Sequence, residues 1–147
     1  MATLSRNINI ISRCASAYRA ERLSGSEISS AHYFYIIAIC KNPGISQDKL
    51  SKKLYLNKSS VARALQTLEN DGFIVRKQCE ADRRITLVYP TNKAQNVIPL
   101  IGEIVKDWND FLFGVLDEKE QELFKELLGK VADRAASYVD GKAEEQE

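Results

Sequence analysis

Ser59, Ser60, Arg63, Gln66 and Thr67 recur at helical spacing and fall within roughly 120° of one another on a helical wheel. Val61, Leu65 and Leu68 lie on the opposite side. Such a polar face, short hydroxyls and amides around one arginine, has the chemistry of a major-groove reader. Arg63 can pair bidentately with a guanine edge, Gln66 with an adenine, and the serines with bases or phosphates. Lys58 and the amides of the first turn add a phosphate site. A second group, Asp82-Arg83-Arg84, puts two guanidinium groups in one short loop. Arginine on a thin hairpin suits a narrow minor groove, and Asp82 would orient a guanidinium rather than approach phosphate. The plainer reading of both groups is a solvated polar surface.

The surrounding pattern supplies the elements that hold these groups. Ser46 caps a helix running to about Lys53, with Ile45 before the cap and Leu50 at the fourth helical position as a hydrophobic staple. Asn57 caps the next helix, with Leu56 and Val61 in the same roles, so only Leu54–Leu56 separate two stapled helices. Asn70-Asp71-Gly72 ends the second. The period then changes to two, and strands are expected over Phe73–Cys79 and Arg84–Tyr89 around the loop Glu80–Arg83. The whole reads as a helix-turn-helix followed by a wing.

Helices flank this centre. Leu4, Ile8, Ile11, Ala15 and Tyr18 mark the first; Ser24-Gly25-Ser26 breaks it. A second is expected from about Ser30 through Phe34, Ile37 and Cys40, stopped by Asn42-Pro43-Gly44. Thr91 caps a long helix through Trp108 and Phe111 that Pro99 should kink. Asp117 caps the last, with Leu123, Leu127, Val131 and Tyr138 along one face. The wide apolar faces carrying Ile8, Ile11, Trp108, Phe111, Phe124 and Leu127 find few other partners in so small a chain, which points to a homodimer; the plainer reading is that they all close one monomeric core.

At 147 residues with 44% hydrophobic and 28% charged side chains, the chain is neither disordered nor a membrane protein in composition. The segment MATLSRNINIISRC lacks a signal-peptide layout, which points to the cytoplasm. Charge is unevenly placed. Residues 41–93 carry eleven basic against five acidic side chains, whereas 94–147 carry six against thirteen. A basic middle in a chain of net charge +1 is the footprint of a nucleic-acid surface on an acidic scaffold.

Other chemistry is sparse. No nucleophile–base motif or phosphate loop occurs, so neither an enzyme nor a cofactor is expected. Cys14, Cys40 and Cys79 form no disulfide framework, and with His32 the single histidine no zinc site is spaced. Cys14 stands on or beside the buried face of the first helix, with only Arg13 as a basic neighbour, which favours a packed thiol. His32, Tyr33 and Tyr35 could line a ligand pocket, or serve as core and rim of a helix pair.

From Ile45 to Thr91 the sequence resembles the MarR family of bacterial winged-helix regulators. The resemblance rests on GISQDKLSKKLYLNKSSVARALQTLENDGFIVRK, on Leu68-Glu69-Asn70-Asp71-Gly72 and on the wing core DRR, where Asp82 and Arg84 match the family's Asp-x-Arg. One departure is Pro90-Thr91, where the family usually has Leu-Thr. The resemblance implies an α+β, mostly α fold: a winged helix-turn-helix over residues 41–92, flanked by N-terminal helices (1–40) and C-terminal dimerisation helices (93–141), with a frayed tail at 142–147. It also implies a homodimeric repressor that holds a pseudo-palindromic double-stranded DNA operator and releases it on a small-molecule or other signal. The family often binds aromatic acids near the dimer interface, and one branch senses peroxide through a cysteine on the first helix, where Cys14 makes the redox candidate of this sequence. The alternative class is a winged-helix protein-interaction module whose basic face binds an acidic partner.

Overall fold

Ser46 and Asn57 each place a side-chain oxygen where the first turn of a helix has an unsatisfied N–H, and two helices begin there. Ser46 Oγ accepts from Lys49 N at 3.2 Å, and Asn57 Oδ1 accepts from Ser60 N at 2.8 Å. The computed structural model describes residues 3–144, with side chains to Lys142. Its elements are α1 (Leu4–Arg22), α2 (Tyr33–Lys41), β1 (Ile45–Ser46), α3 (Gln47–Leu54), α4 (Lys58–Asn70), β2 (Ile74–Gln78), β3 (Thr86–Pro90), α5 (Asn92–Phe113) and α6 (Glu118–Glu144). This is the mostly helical winged helix-turn-helix that the sequence implied. Among the described residues, no helix is long and apolar enough to cross a membrane.

Between α3 and α4 the chain turns through Tyr55, which has φ 54°. A left-handed residue that is not glycine is uncommon, and here it closes α3 while the Tyr55 and Leu56 N–H groups donate to Lys52 O and Ser51 O. At the other end of α4, Gly72 has φ +81°. Its N–H donates to Glu69 O, and that of Phe73 to Leu68 O, the paired closure of a Schellman motif. The chain then enters the sheet, whose strand order is β1-β3-β2, all antiparallel.

The two-residue strand β1 was not expected from sequence, being too short to show a period; Ile45 pairs with Val88. The wing strands are shorter than expected, and Pro90 closes β3 opposite Ile74 rather than standing outside the strand. Thr91 then caps α5 as expected, its Oγ1 accepting from Ala94 N at 3.4 Å. The long helix continues through Pro99 without interruption. Helix α2 begins at Tyr33, three residues later than expected from the pattern, and buries Tyr35, Ile36, Ala38 and Ile39. Phe34, Ile37 and Cys40 are only half-buried. Its sequence, YFYIIAICK, is apolar nearly all round, so periodicity does not single out the inner face.

The chain divides after Trp108 into two units. The first holds the core: Ile36 and Ile39 from α2, Leu50 from α3, Val61, Leu65 and Leu68 from α4, Phe73, Ile74 and Val88 from the sheet, and Ile101 and Ile104 from α5. In the same unit α1 meets α5 through Arg22–Asp107 at 2.9 Å and a Tyr18–Trp108 stack at 5.0 Å. Trp108 is therefore half-buried against its own chain, contrary to its expected place on an open apolar face.

The second unit contains the end of α5 and α6, joined by a capping box: Glu120 N donates to Asp117 Oδ1 and Asp117 N to Glu120 Oε2, both at 2.9 Å. Helix α6 continues to Glu144, so residues 142–144 extend a helix that was expected to fray, and 145–147 lie outside the described residues.

Because Gly72 occupies the left-handed region, a Cβ there is strained although only Lys93 Cδ lies near, at 3.9 Å. Gly72→Ala is expected to lower stability by about 1–2 kcal/mol in urea unfolding. An unchanged midpoint would show that the turn has another conformation.

Candidate nucleic-acid interface

Burial of Val61, Ala64, Leu65 and Leu68 leaves α4 only one orientation, with Ser59, Arg63, Gln66 and Thr67 exposed and Ser60 partly so. The structure thus brings the expected side chains of this helix onto one face. Their local bonds differ. Ser59 Oγ donates to the capping Asn57 at 2.9 Å, and Thr67 Oγ1 donates to Arg63 O at 3.3 Å. Among the described residues, Arg63 has only a long intrahelical contact to Ser60 Oγ, at 3.4 Å, so its fork is available for a planar partner. Lys58 stands 3.6 Å from Asp48 in an exposed pair that holds neither side chain strongly.

Gln66 is differently placed from the free amide that adenine pairing needs. Its Oε1 accepts from Arg76 Nη2 at 2.6 Å, and its Nε2 donates to Asn70 Oδ1 at 2.9 Å. Arg76 arrives from strand β2, outside the local helical pattern. Glu69 fastens the same arginine, with Oε1 3.0 Å from Arg76 Nη2 and Oε2 accepting from the Arg76 backbone N–H at 3.0 Å. Strand β2 is an edge of the sheet, so Glu69 also satisfies a backbone donor that the ladder leaves unpaired. Glu69, Asn70 and Arg76 were not among the expected site residues. The one available signal was an arginine seven positions after the glutamate, across a helix end and a turn.

At the wing tip, the guanidinium that Asp82 orients is that of Arg84. Asp82 Oδ1 accepts from Arg84 N and Nε, each at 3.0 Å, and its Oδ2 from Arg84 Nη2 at 2.9 Å. The Arg84 side chain is 90% exposed, so the fork is oriented without being covered. That pairing holds the Asp82 carboxyl below its usual range and pushes the guanidinium up. Arg83 beside it is exposed. The connection between the strands is longer than the expected four residues, and bonds from Cys79 N to Ile85 O and from Ile85 N to Asp82 O shape it.

The expected ligand trio separates. His32 and Tyr35 line an open cavity of about 290 Å³ with Ala31, Ser60, Arg63, Ala64 and Thr67. Tyr33 instead lies under the Arg19 guanidinium, 4.7 Å from its ring centre, among Leu23, Ile101, Ile104 and Val105. The two tyrosines are two positions apart on a helix and so face different ways. Cys14 is exposed, which corrects its expected place beside the buried face; Ala15, one residue on, is the buried member of α1. Cys40 and Cys79 are half-buried, and burial pushes the Cys40 thiol up. Among the described residues no group of His, Cys, Asp and Glu could hold a metal ion.

The Arg76 guanidinium, through its side-chain bond above all, holds the Glu69 carboxyl below the usual carboxylate range. The folded state therefore favours ionised Glu69; its contribution is present above the unfolded carboxyl's range and is lost as pH falls through the lower folded value. Unfolding midpoints measured between about pH 5 and 3 should fall more steeply for the unmodified protein than for Glu69→Gln, which cannot titrate. Parallel curves would show that the clamp adds nothing to stability.

The model of the MarR family matches residues 28–86, from the last turn before α2 to the first residue of β3. The uncharacterized HTH-type transcriptional regulator YybA of Bacillus subtilis is 28% identical over 131 residues, covering 89% of this chain and 87% of the relative. The HTH-type transcriptional regulator BilQ of Clostridium symbiosum is 30% identical over 112 residues, covering 76% and 78%. Among solved structures, a crystal structure of MarR superposes with a TM-score of 0.86 at 29% identity over 95% of both chains. A MarR family transcriptional regulator from Listeria monocytogenes, solved with a 26mer DNA, gives a TM-score of 0.86 at 28% identity over 93% of this chain and 91% of that one. Shared along nearly the whole length, from the capped helix pair through the wing to the flanking helices, this likeness makes the chain a member of the MarR family of transcriptional regulators.

Proposed function

We propose that the protein is a homodimeric, sequence-specific repressor of transcription that binds a pseudo-palindromic double-stranded DNA operator in the cytoplasm and is released by a small molecule. The observation that carries this is the outward guanidinium of Arg63 on a helix whose other side is core, with a second, pre-oriented guanidinium, Arg84, on the wing. In this reading α4 enters the major groove. Arg63 reads a guanine edge, while Lys58, Ser59, Ser60 and Thr67 bind phosphate or neighbouring base edges. Gln66 joins them from its place in the Arg76 network. Arg84, oriented by Asp82 and flanked by Arg83, enters the adjacent minor groove. The Listeria relative solved with DNA supports this assignment.

Dimerisation rests on the second unit. Among its described side chains none is buried, yet α6 exposes Leu123, Phe124, Leu127, Leu128 and Val131, and Phe111 is 73% exposed. On α1, Leu4, Ile8 and Ile11 are exposed too. Apolar stripes of this length call for a second copy. Leu127→Asp should yield monomers in sedimentation and weaken operator binding, because it places an unpaired carboxylate in the interface. An unchanged dimer would refute that assignment.

Release rests on the cavity shared by His32 and Tyr35 with Ser60, Arg63 and Thr67. An occupant there engages the same arginine that reads the operator, so ligand and DNA compete. We assign the signal to this cavity rather than to oxidation of Cys14.

The test is titration of alanine variants against operator, flank-swapped operator and random duplex at several salt concentrations. Arg63→Ala should lose about 1–3 kcal/mol and relax one base pair per half-site. Arg84→Ala should weaken binding most where the flanks are A·T-rich. Lys58→Ala should lower affinity for every sequence and flatten the salt slope by about one unit per half-site. Equal affinity for operator and random duplex in the unmodified protein would favour a protein-interaction module.

A further inference from the structure

We infer that Arg76 sets a base preference through Gln66: its guanidinium occupies the Gln66 carbonyl oxygen, so that the amide meets a base edge chiefly as a donor and favours guanine or thymine over adenine. The inference rests on the proposed reading of α4 as the groove helix. Reading adenine bidentately takes one N–H and one carbonyl lone pair from the same glutamine. A glutamine has two of each. Here Arg76 takes one lone pair at 2.6 Å and Asn70 takes one N–H at 2.9 Å. The amide orientation follows from chemistry, since turning it over would set its NH₂ against the guanidinium. What remains for a base is one N–H and one lone pair beside a cation. The positive neighbour polarises the amide, strengthening the free N–H as a donor. It also repels the partly positive amino group that adenine would bring to the carbonyl. Guanine N7 and O6 and thymine O4 offer acceptors alone, which suit the remaining N–H.

Arg76 is fixed for this role. Its side chain is 20% exposed, and Glu69 holds both its guanidinium and its backbone N–H. It need not touch DNA. It is a positioning residue, and its effect should appear in the identity of one base pair rather than in overall affinity.

The experiment measures binding of the full-length protein to operator duplexes carrying each base in turn at every half-site position. It compares the unmodified protein with Gln66→Ala, Arg76→Met, the double variant and Arg63→Ala, checking thermal unfolding of each. Gln66→Ala alone should erase a guanine or thymine preference at one position. Arg76→Met should raise adenine there by about fivefold or more, the lower bound for a bidentate pair, and adding Gln66→Ala should remove that gain. A wing merely loosened by Arg76→Met would weaken all sequences alike and create no Gln66-dependent adenine preference. The inference is overturned if the unmodified protein already prefers adenine through Gln66, or if no protein shows a base preference that depends on Gln66. If Arg76→Met does not fold, Gln66→Ala in the otherwise unmodified protein still decides between guanine or thymine and adenine. Should Arg63→Ala also leave every base preference untouched, the reading of α4 as the groove helix falls together with the inference; a loss of preference with Arg63→Ala alone overturns only the inference about Arg76.

Discussion

A thirteen-residue helix that buries Val61, Ala64, Leu65 and Leu68 has no freedom about which side chains it shows to solvent. That constraint orders the first unit. The apolar side of α4 needs α2, α3, the sheet and α5 to cover it, and each contributes fully buried aliphatic or aromatic side chains to the same cluster. Rotating α4 by one residue would bury Arg63 or Gln66, and a buried charge or unpaired amide opposes that by several kcal/mol, on the order of the whole stability of a small domain. The display of polar groups on the far side is thus a by-product of packing on the near side.

Besides the core that Ile74 and Val88 share with α4, polar contacts fasten the wing to that helix. Glu69, on the last turn of α4, bonds the backbone and side chain of Arg76 on β2. An edge strand with an unpaired N–H is an invitation to stray pairing, and a carboxylate from the neighbouring helix closes it. The helix and hairpin, which would touch different grooves, therefore share one fixed geometry. Asp82 does the same on a smaller scale at the tip, with two carboxylate oxygens against three N–H groups of Arg84.

How much of this could be read from the sequence follows from the range of the forces involved. Ser46, Asn57, Thr91 and Asp117 cap helices through bonds reaching three residues, and all four were legible. So was the turn at Gly72, because few residues tolerate its φ. Helix α2 was legible as a helix but not in its facing, since an apolar surface all round carries no phase. At the site, Asp82 and Arg84 lie two residues apart, close enough for the sequence to suggest that Asp82 orients one of its neighbouring arginines, whereas Gln66 and Arg76 meet across ten residues, a helix end and a turn. Trp108 looked like part of an open stripe because nothing local announces its stack on Tyr18, ninety positions earlier. Tyr55 carried no sign of its left-handed turn at all, and only the spacing of two capped helices implied that something there must bend.

Thr91 and Lys93 carry a consequence for movement. The Thr91 hydroxyl lies 2.6 Å from Gly72 O and 3.1 Å from Phe73 O, and Lys93 Nζ donates to Asp71 O at 2.7 Å while pairing with Glu27. The start of α5 thus grasps three consecutive carbonyls where α4 ends and the hairpin begins. In mechanical terms the beginning of the long helix is a crank: turning it about its axis would drag the base of α4 and the root of the wing together, without parting them. In the proposed homodimer, two such cranks facing each other across a symmetry axis would change the distance between their α4 helices while each arm kept its shape, and a duplex of fixed pitch would register that change as a lost fit.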